Sequence, residues 1–344
     1  MRARRLRRCR RGRRSRRRKA LLSLGLAAGA LSFVGASWLA GRGLARRLIS
    51  ARGLAPPREQ PEELLAALGQ AGGLTGNLRH PGSARDPVEM AAVFASPGDP
   101  SARPTILFLH GKGGSGAEWR PEALRALKLG YNVLLPDLRG HGASQGTFVT
   151  YGFLEREDLA NAVAAAREEF GIDADRLGVH GCSAGATLAM EFAAERDGIL
   201  ALWVESPYAQ PREMARHYLS LQTGLPSWLL GLTSRWAVGH AVAHVRRELS
   251  LEESDSGIEL VDPLTAIGRV KAPICLVYGD TDRLVPPRFV ERLEAALPPG
   301  SRVWRVSAAG HCHHDNEPSK VAKEEYDRKW TGFFSDHLPV KENL

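Results

Sequence analysis

Hydrophobic and polar positions follow two alternating patterns from about residue 76 onward. Short apolar or β-branched runs, typical of strands buried on both faces, are followed by longer stretches with helical spacing. This alternation predicts an α/β fold with a mostly parallel central sheet flanked by helices. Strands are predicted over residues 88–94 (antiparallel), 105–109, 132–135, 176–180, 200–204, 274–278 and 303–306, and helices over 121–129, 153–170, 184–194 and 321–337.

One stretch departs from this alternation. Residues 207–262 are helical in pattern and lie between two predicted strands, where a crossover needs far fewer residues. The pattern predicts a small helical cap inserted into the domain. Ordinary packing helices would produce the same pattern, so that alternative stays open.

The N-terminal region is distinct in both hydropathy and charge. Residues 20–41 carry no charge and would form a helix about 33 Å long, enough to cross a bilayer core. Residues 1–19, a basic tail, hold thirteen Lys and Arg and no acid. The positive-inside rule therefore predicts a single-pass membrane protein with a cytoplasmic N-terminus and an exoplasmic or periplasmic domain. Secretion after cleavage of a signal segment is the alternative.

Downstream of this segment we expect a linker over residues 42–75 and a catalytic domain over 76–344, with the cap at 207–262. The formal net charge of the chain is +9, but residues 20–344 hold 34 basic and 38 acidic residues. A nucleic-acid binder carries its basic patch on the folded domain, so the charge argues against that class. Four cysteines in 344 residues exclude a disulfide-framework protein.

The strongest chemical motif is Gly-Cys-Ser-Ala-Gly at residues 181–185. It fits G-x-S-x-G and lies between a predicted strand and a predicted helix, the context in which a nucleophilic serine occupies a strained turn. The flanking glycines remove side chains that would clash there. The start of the helix also points its free N–H groups toward negative charge developing beside Ser183. Ser183 is therefore the candidate nucleophile.

A serine hydroxyl needs a base, and the base needs a carboxylate to orient it. Asp280 and Asp282 follow one predicted strand, and His311 follows the next. The carboxyl ends of parallel strands share one sheet edge, so we expect both loops to lie beside Ser183. The residues alone leave Asp280 and Asp282 as alternatives for the acid.

A glycine-rich loop, His110–Gly114, directly follows the strand predicted over 105–109. Gly111 and Gly113 allow backbone N–H groups to approach a substrate oxygen. Together with the N–H of Ala184, such a loop can form a two-donor oxyanion hole. A phosphate-binding loop is the alternative, but its G-x-x-x-x-G-K-[ST] pattern is absent.

In sum the chain resembles the serine hydrolases of the α/β-hydrolase superfamily over roughly residues 76–337, with membrane-anchored or exported bacterial members as the nearest likeness. The matching motifs are HGKGG (110–114), DLRGHGAS (137–144), GCSAG (181–185), GDTDRLVP (279–286) and AGH (309–311). The resemblance implies that Asp282 is the catalytic acid, His311 the base, and the backbone of Lys112 an oxyanion donor.

The predicted function is hydrolysis of a carboxylic ester, from a small acyl ester or a lipid, through an acyl-enzyme. Gly111, Gly113 and Tyr208 are expected to line the substrate site, and no cofactor is required. A peptidase or acyltransferase on the same fold, or a catalytically silent membrane-tethered binding protein, are the alternatives. The oligomeric state is not predicted.

Two further groups of residues resemble functional sites but are explained as structural. Residues 311–315 (His-Cys-His-His-Asp) resemble metal ligands, but neighbouring loop residues rarely all face one ion and no second cluster has zinc spacing, so no metal is predicted. Cys182 and Cys312 flank the candidate nucleophile and base in sequence, and a disulfide between them is not expected.

Overall fold

The computed structural model describes residues 29, 31–51, 61–71, 73–251, 262–312 and 323–340. They form two compact units, Met1–Leu48 with Ala215–Ala241, and Ile49–Met214 with Val242–Leu344. We call these the smaller and the larger unit and describe each by itself.

An eight-stranded sheet forms the centre of the larger unit, in the order β1-β2-β4-β3-β5-β6-β7-β8. β2 pairs antiparallel with β1 and β4, and every other neighbouring pair is parallel. The α/β fold with a mostly parallel sheet is thereby confirmed. The strands are β1 (Leu74–Pro81), β2 (Glu89–Ser96), β3 (Thr105–Leu109), β4 (Asn132–Asp137), β5 (Leu177–Cys182), β6 (Ile199–Glu205), β7 (Ile274–Gly279) and β8 (Arg302–Val306).

Helices cover both faces of this sheet, which explains why the central strands read as continuous apolar runs. One face packs mainly against α4, α5 and α9, and the other against α2, α3 and α10. The helices that begin after residue 60 are α2 (Pro61–Gly69), α3 (Arg120–Lys128), α4 (Glu155–Phe170), α5 (Ala184–Ala194), α6 (Pro211–Thr223), α7 (Gly231–Glu248), α8 (Pro263–Ile267), α9 (Pro287–Glu294) and α10 (Lys323–His337).

The smaller unit contains helix α1 (residues 31–49) up to Leu48, together with most of α6 and the first part of α7. Small residues at Ser37, Gly41 and Ala45 recur every four positions and, together with Leu44 and Ile49, are the buried residues of α1. A Cβ added at Gly41 would lie 2.6 Å from the Cβ of Trp236. Glycine at this position therefore allows α1 and α7 to pack closely.

The region before the sheet differs from the sequence-based expectation. The predicted linker, 42–75, contains the end of α1, all of α2 and the first residues of β1. β1 itself was not predicted, because its burial alternates only weakly at the edge of the sheet. Two of its neighbours, Leu64 and Leu68 of α2, are buried in the core.

The predicted membrane span, 20–41, falls partly on residues 20–28 and 30, outside the described part of the chain, as does the basic tail. Within the described ranges, none of the helices combines the length and the apolar character needed to cross a membrane. The predicted span is thus not confirmed.

Candidate active site

Ser183 lies at the sharp turn between β5 and α5, with φ 52° and ψ −117°. This is a conformation that L-residues rarely adopt, and the surrounding backbone maintains it. A Cβ on Gly185 would lie 2.2 Å from the carbonyl oxygen of Leu109, and one on Gly181 would lie 2.6 Å from that of Gly185. The motif glycines therefore let the turn pack directly against β3.

Replacing Gly185 by alanine tests this packing. The added methyl group would press on backbone carbonyls of a central strand that cannot move aside. We expect Gly185→Ala to lower the free energy of unfolding by about 1–3 kcal/mol or more. Guanidinium unfolding measures the change. Gly332→Ala, at a half-buried position of α10 where a Cβ meets no atom within 4 Å, is the matched control and should be neutral or slightly stabilising. Equal effects of the two variants would contradict the packing argument.

The candidate base and acid come together from two loops. The Nδ1 of His311 lies 2.7 Å from the Oδ2 of Asp282. The other carboxylate oxygen of Asp282 accepts hydrogen bonds from the backbone N–H groups of Leu284 and Val285, both at 2.8 Å. The Asp282 side chain is fully buried, whereas that of His311 is 23% exposed. This arrangement leaves the Nε2 of His311 as the nitrogen available for proton transfer.

Asp280 has a different position and a different partner. Its Oδ1 accepts a hydrogen bond from the backbone N–H of Ala308, at 2.5 Å. The backbone of Thr281 donates to the carbonyl of Ala309, and a Cβ on Gly279 would lie 2.3 Å from that same oxygen. Asp280 therefore fastens the loop that carries His311 to the loop that carries Asp282.

The glycine-rich loop after β3 approaches the serine turn closely. A Cβ on Gly111 would lie 3.4 Å from the Cβ of Ser183. His110 holds this loop: its Nε2 accepts the backbone N–H of Leu138 at 2.9 Å, so its Nδ1 carries the proton and donates to the carbonyl of Gly111 at 2.7 Å. Burial, and secondarily His141, lowers the pKa of His110 to about 3. His110 is therefore a neutral positioning residue for the loop.

This buried histidine should make stability depend on pH. The folded-state pKa of His110, about 3, is below its ordinary value of 6.5, so between these values the unfolded chain binds a proton that the folded chain does not. The free energy of unfolding should fall as the pH decreases from 6.5 toward 3, by ~1.4 kcal/mol per unit for this group.

In the His110→Gln variant, the free energy of unfolding should change less steeply with pH, by nearly one bound proton. The variant should also be less stable than the wild type at neutral pH. Urea unfolding at several pH values between 6.5 and 4.5 measures both slopes. Burial lowers the pKa of His80 and His141 as well, and both remain in the variant, so the difference in slope isolates His110. Identical slopes would exclude this linkage.

A cavity opens beside the serine turn. Its lining includes Gly111, Lys112 and Ala184, three of the residues predicted to surround the substrate. Burial lowers the pKa of Lys112 to about 8, and its Nζ donates to the hydroxyl of Tyr151 at 3.0 Å. Apolar walls with few polar groups are typical of small-molecule sites. The remaining described lining residues are Leu138, Arg139, His141, Val149, Tyr151, Gly152, Glu155 and Leu188.

Tyr151 and Glu155 also line the cavity, although no sequence pattern predicted them there. Tyr151 has a positive φ of 53°, and the carboxylate of Glu155 accepts hydrogen bonds from the backbone N–H groups on either side of it, at Thr150 and Gly152. Nothing in the local sequence marks such a turn. Contacts with Glu155 of α4 and with Lys112 hold Tyr151 at the cavity.

Tyr208, by contrast, lies in the main hydrophobic core with 7% of its surface exposed, and the described lining of the cavity does not include it. Burial raises its pKa well above the ordinary value. Its predicted contact with substrate stays a prediction. Gly113, which has a φ of 87°, lies in the turn of the glycine-rich loop.

The structure describes Cys182 and Cys312 but only the first two residues of the candidate metal cluster. Cys182 and Cys312 are both buried free thiols, and burial raises the pKa of Cys312 well above its ordinary value. His313, His314 and Asp315 lie outside the described residues. In the part of the chain that the structure describes, no group of three His, Cys, Asp or Glu side chains is placed to hold a metal ion.

A buried polar network lies beneath the serine turn and was also missed. The Oε1 of Glu205 accepts hydrogen bonds from Trp203 Nε1, at 3.0 Å, and from the Tyr326 hydroxyl, and it lies 3.4 Å from His180 Nε2. The backbone carbonyl of the same glutamate accepts the N–H of Ser183 at 2.8 Å. The network thus anchors the strand end on which the serine turn rests.

Comparison with known proteins agrees with this geometry. The family model described as the alpha/beta hydrolase family matches residues 106–324. The chain belongs to the alpha/beta hydrolase family. In the fold of this family, the serine turn and the loops that correspond to those of Asp282 and His311 follow strands of one sheet and lie at the same edge.

Individual relatives in this family are distant. YqkD of Bacillus subtilis, an uncharacterised protein, is 30% identical over 169 residues, which are 48% of this chain and 51% of YqkD. The chain thus spans about half the length of that relative. RutD of Escherichia coli O44:H18, named a putative carbamate hydrolase, is 24% identical over 240 residues, 62% of this chain and 86% of RutD. The esterase Pf2001 of Pyrococcus furiosus superposes with a TM-score of 0.60 at 23% identity, covering 83% of this chain and 96% of the esterase. This last likeness shows the fold.

Proposed function

We propose that this alpha/beta hydrolase is a serine hydrolase that cleaves carboxylic esters through an acyl-enzyme. The observation that carries the proposal is the hydrogen bond of 2.7 Å between Asp282 and His311, with Ser183 on a strained turn at the same sheet edge. The name of the esterase Pf2001 supports an ester substrate, and that of RutD supports hydrolysis of an acyl bond.

In the proposed mechanism, Ser183 Oγ attacks the carbonyl carbon of the substrate while His311 Nε2 takes its proton. Asp282 holds the Nδ1–H of His311 and stabilises the imidazolium that forms. His311 then protonates the leaving alcohol, and an acyl-enzyme remains. Water, deprotonated by His311, attacks the acyl carbon and releases the carboxylic acid together with free Ser183.

Backbone N–H groups of Lys112 and Ala184 are proposed to hold the oxyanion. Both residues line the cavity beside the serine turn, and Ala184 is the first residue of α5, where N–H groups lack helical partners. Loss of one such donor typically costs ~10²–10³ in rate. The cavity is proposed to receive part of a small acyl ester or of a lipid.

We further propose that the N-terminal segment holds the enzyme at a membrane, with the larger unit on the exoplasmic side. Thirteen basic residues followed by 22 uncharged ones support this orientation. Protease protection of the full chain in spheroplasts tests it. A chain recovered in the medium with a shortened N-terminus would instead indicate secretion, and a chain inaccessible to external protease would refute both.

The activity itself is tested with nitrophenyl esters of increasing acyl length and with a fluorophosphonate probe. Turnover that depends on acyl length supports the ester proposal and sizes the cavity. Labelling without turnover of any ester would indicate a reactive serine with a different acyl substrate, such as a peptide. Neither turnover nor labelling in the folded chain would refute the catalytic proposal and favour a tethered binding protein.

A further inference from the structure

The smaller unit carries most of the exposed large hydrophobic side chains in the part of the chain that the structure describes. Of the thirteen large hydrophobic side chains that are exposed among the described residues, nine belong to α1 or to residues 215–241. The most exposed are Trp228 at 76%, Leu31 at 74% and Leu39 at 64%. A high proportion of exposed apolar side chains in one small unit indicates a contact surface.

Part of this surface lies at the last residues of α6 and in the loop that leads to α7. Every residue from 221 to 228 is exposed, and within this segment, which we call the apolar loop, Leu221 and Leu225 are each 47% exposed beside Trp228. Their neighbours include Pro226 and no charged residue. The loop thus presents two leucines and an indole ring to its surroundings.

The backbone of the apolar loop is hydrogen-bonded within the loop and its flanking helix. Ser220 Oγ donates to the carbonyl of Leu225 at 2.7 Å, and the N–H of Leu225 donates to Thr223 Oγ1 at 3.3 Å. The N–H of Gly224 donates to the carbonyl of Ser220 at 2.9 Å. Backbone groups that are hydrogen-bonded within the protein lower the free-energy cost of moving a loop from water into a less polar medium.

The smaller unit also differs from the rest of the chain in its charge. The chain has no Asp or Glu between Glu213 and Glu248, and none in residues 29–48. The smaller unit instead carries arginines at positions 42, 46, 47, 216 and 235. All 38 acidic residues of the chain therefore lie in the larger unit, and the smaller unit is purely basic.

This combination favours a lipid surface over a second copy of the chain. A symmetric dimer through the same surface would place two purely basic units against each other, which like-charge repulsion opposes. An anionic bilayer is complementary to the arginines, and its interfacial zone accepts indole rings and leucines. We propose that the apolar loop inserts Leu221, Leu225 and Trp228 into the interfacial zone of an anionic phospholipid bilayer.

The proposed contact is separate from the N-terminal segment, and it does not rest on the proposed ester hydrolysis. Its test must therefore report on the loop itself, because vesicle binding alone would also follow from the N-terminal segment.

Tryptophan quenching by lipids provides that report. The full chain is reconstituted into vesicles of phosphatidylglycerol and phosphatidylcholine with brominated acyl chains, which quench indoles that enter the bilayer. We expect Trp228→Phe to remove a large part of the lipid-quenched fluorescence. Trp304→Phe, on β8 in the larger unit, is the matched control and should leave that part unchanged. The double variant Leu221→Ser with Leu225→Ser should reduce the quenching at least about twofold.

Two results would overturn the proposal. Trp228 fluorescence that resists brominated lipid but responds to aqueous iodide would place the loop in water. Resistance to both quenchers, together with a concentration-dependent dimer that Trp228→Ser abolishes, would identify a second copy of the chain as the occupant. Ester hydrolysis measured on the same samples reports separately on the proposed function.

Discussion

The Ser183→Ala variant should lose at least about 10⁴-fold in kcat on any ester that the wild-type chain hydrolyses. The alanine cannot form the acyl-enzyme, and the remaining groups can only assist direct attack by water. Fluorophosphonate labelling should disappear with the activity. Alanine fits the turn at least as well as serine sterically, so guanidinium unfolding should show nearly unchanged stability.

Cys182→Ala is the matched control, because Cys182 precedes Ser183 in the same motif and is also a potential nucleophile. Its thiol is buried, with 3% of the residue exposed. We expect this variant to keep the probe label on Ser183. If Ser183→Ala kept both the label and the turnover while Cys182→Ala lost them, Ser183 would not be the nucleophile.

The Asp282→Asn variant should lower kcat by about 10³–10⁴-fold with a smaller change in KM. The Oδ1 of an asparagine can still accept the N–H groups of Leu284 and Val285, so the loop should keep its shape. Its amide N–H₂, however, would face the Nδ1 of His311 and favour the tautomer with the proton on Nε2. That tautomer cannot accept the proton of Ser183.

Asp280→Asn is the control that separates this effect from loop damage. Asp280 lies two residues away, and an asparagine there can still accept the N–H of Ala308. We expect its kcat to stay within about tenfold of wild type. Steady-state kinetics on one nitrophenyl ester compares the two variants. A larger loss from Asp280→Asn than from Asp282→Asn would show that the acid is assigned to the wrong residue.

The fold class was predictable because the sheet is buried on both faces. β3 and β7 read as nearly unbroken apolar runs, and such a run is visible in the sequence of each strand by itself. β1 escaped prediction because it lies at the sheet edge and its residues are only partly buried. The end of α1 escaped because its few buried residues, among them Leu44 and Ala45, lie between exposed arginines and give only a weak hydropathy signal.

The candidate site shows the same division. Sequence by itself determined the serine turn, since Gly181, Ser183 and Gly185 must be adjacent in the chain to form it. It also determined which loops follow which strands. Only the tertiary structure decided that Asp282, and not Asp280, contacts His311, that Glu205 lies beneath the turn, and that Tyr151 lines the cavity. Each of these depends on a distance between residues far apart in the chain. Such distances are set by how strands and helices pack together, and no local pattern of residue types encodes them.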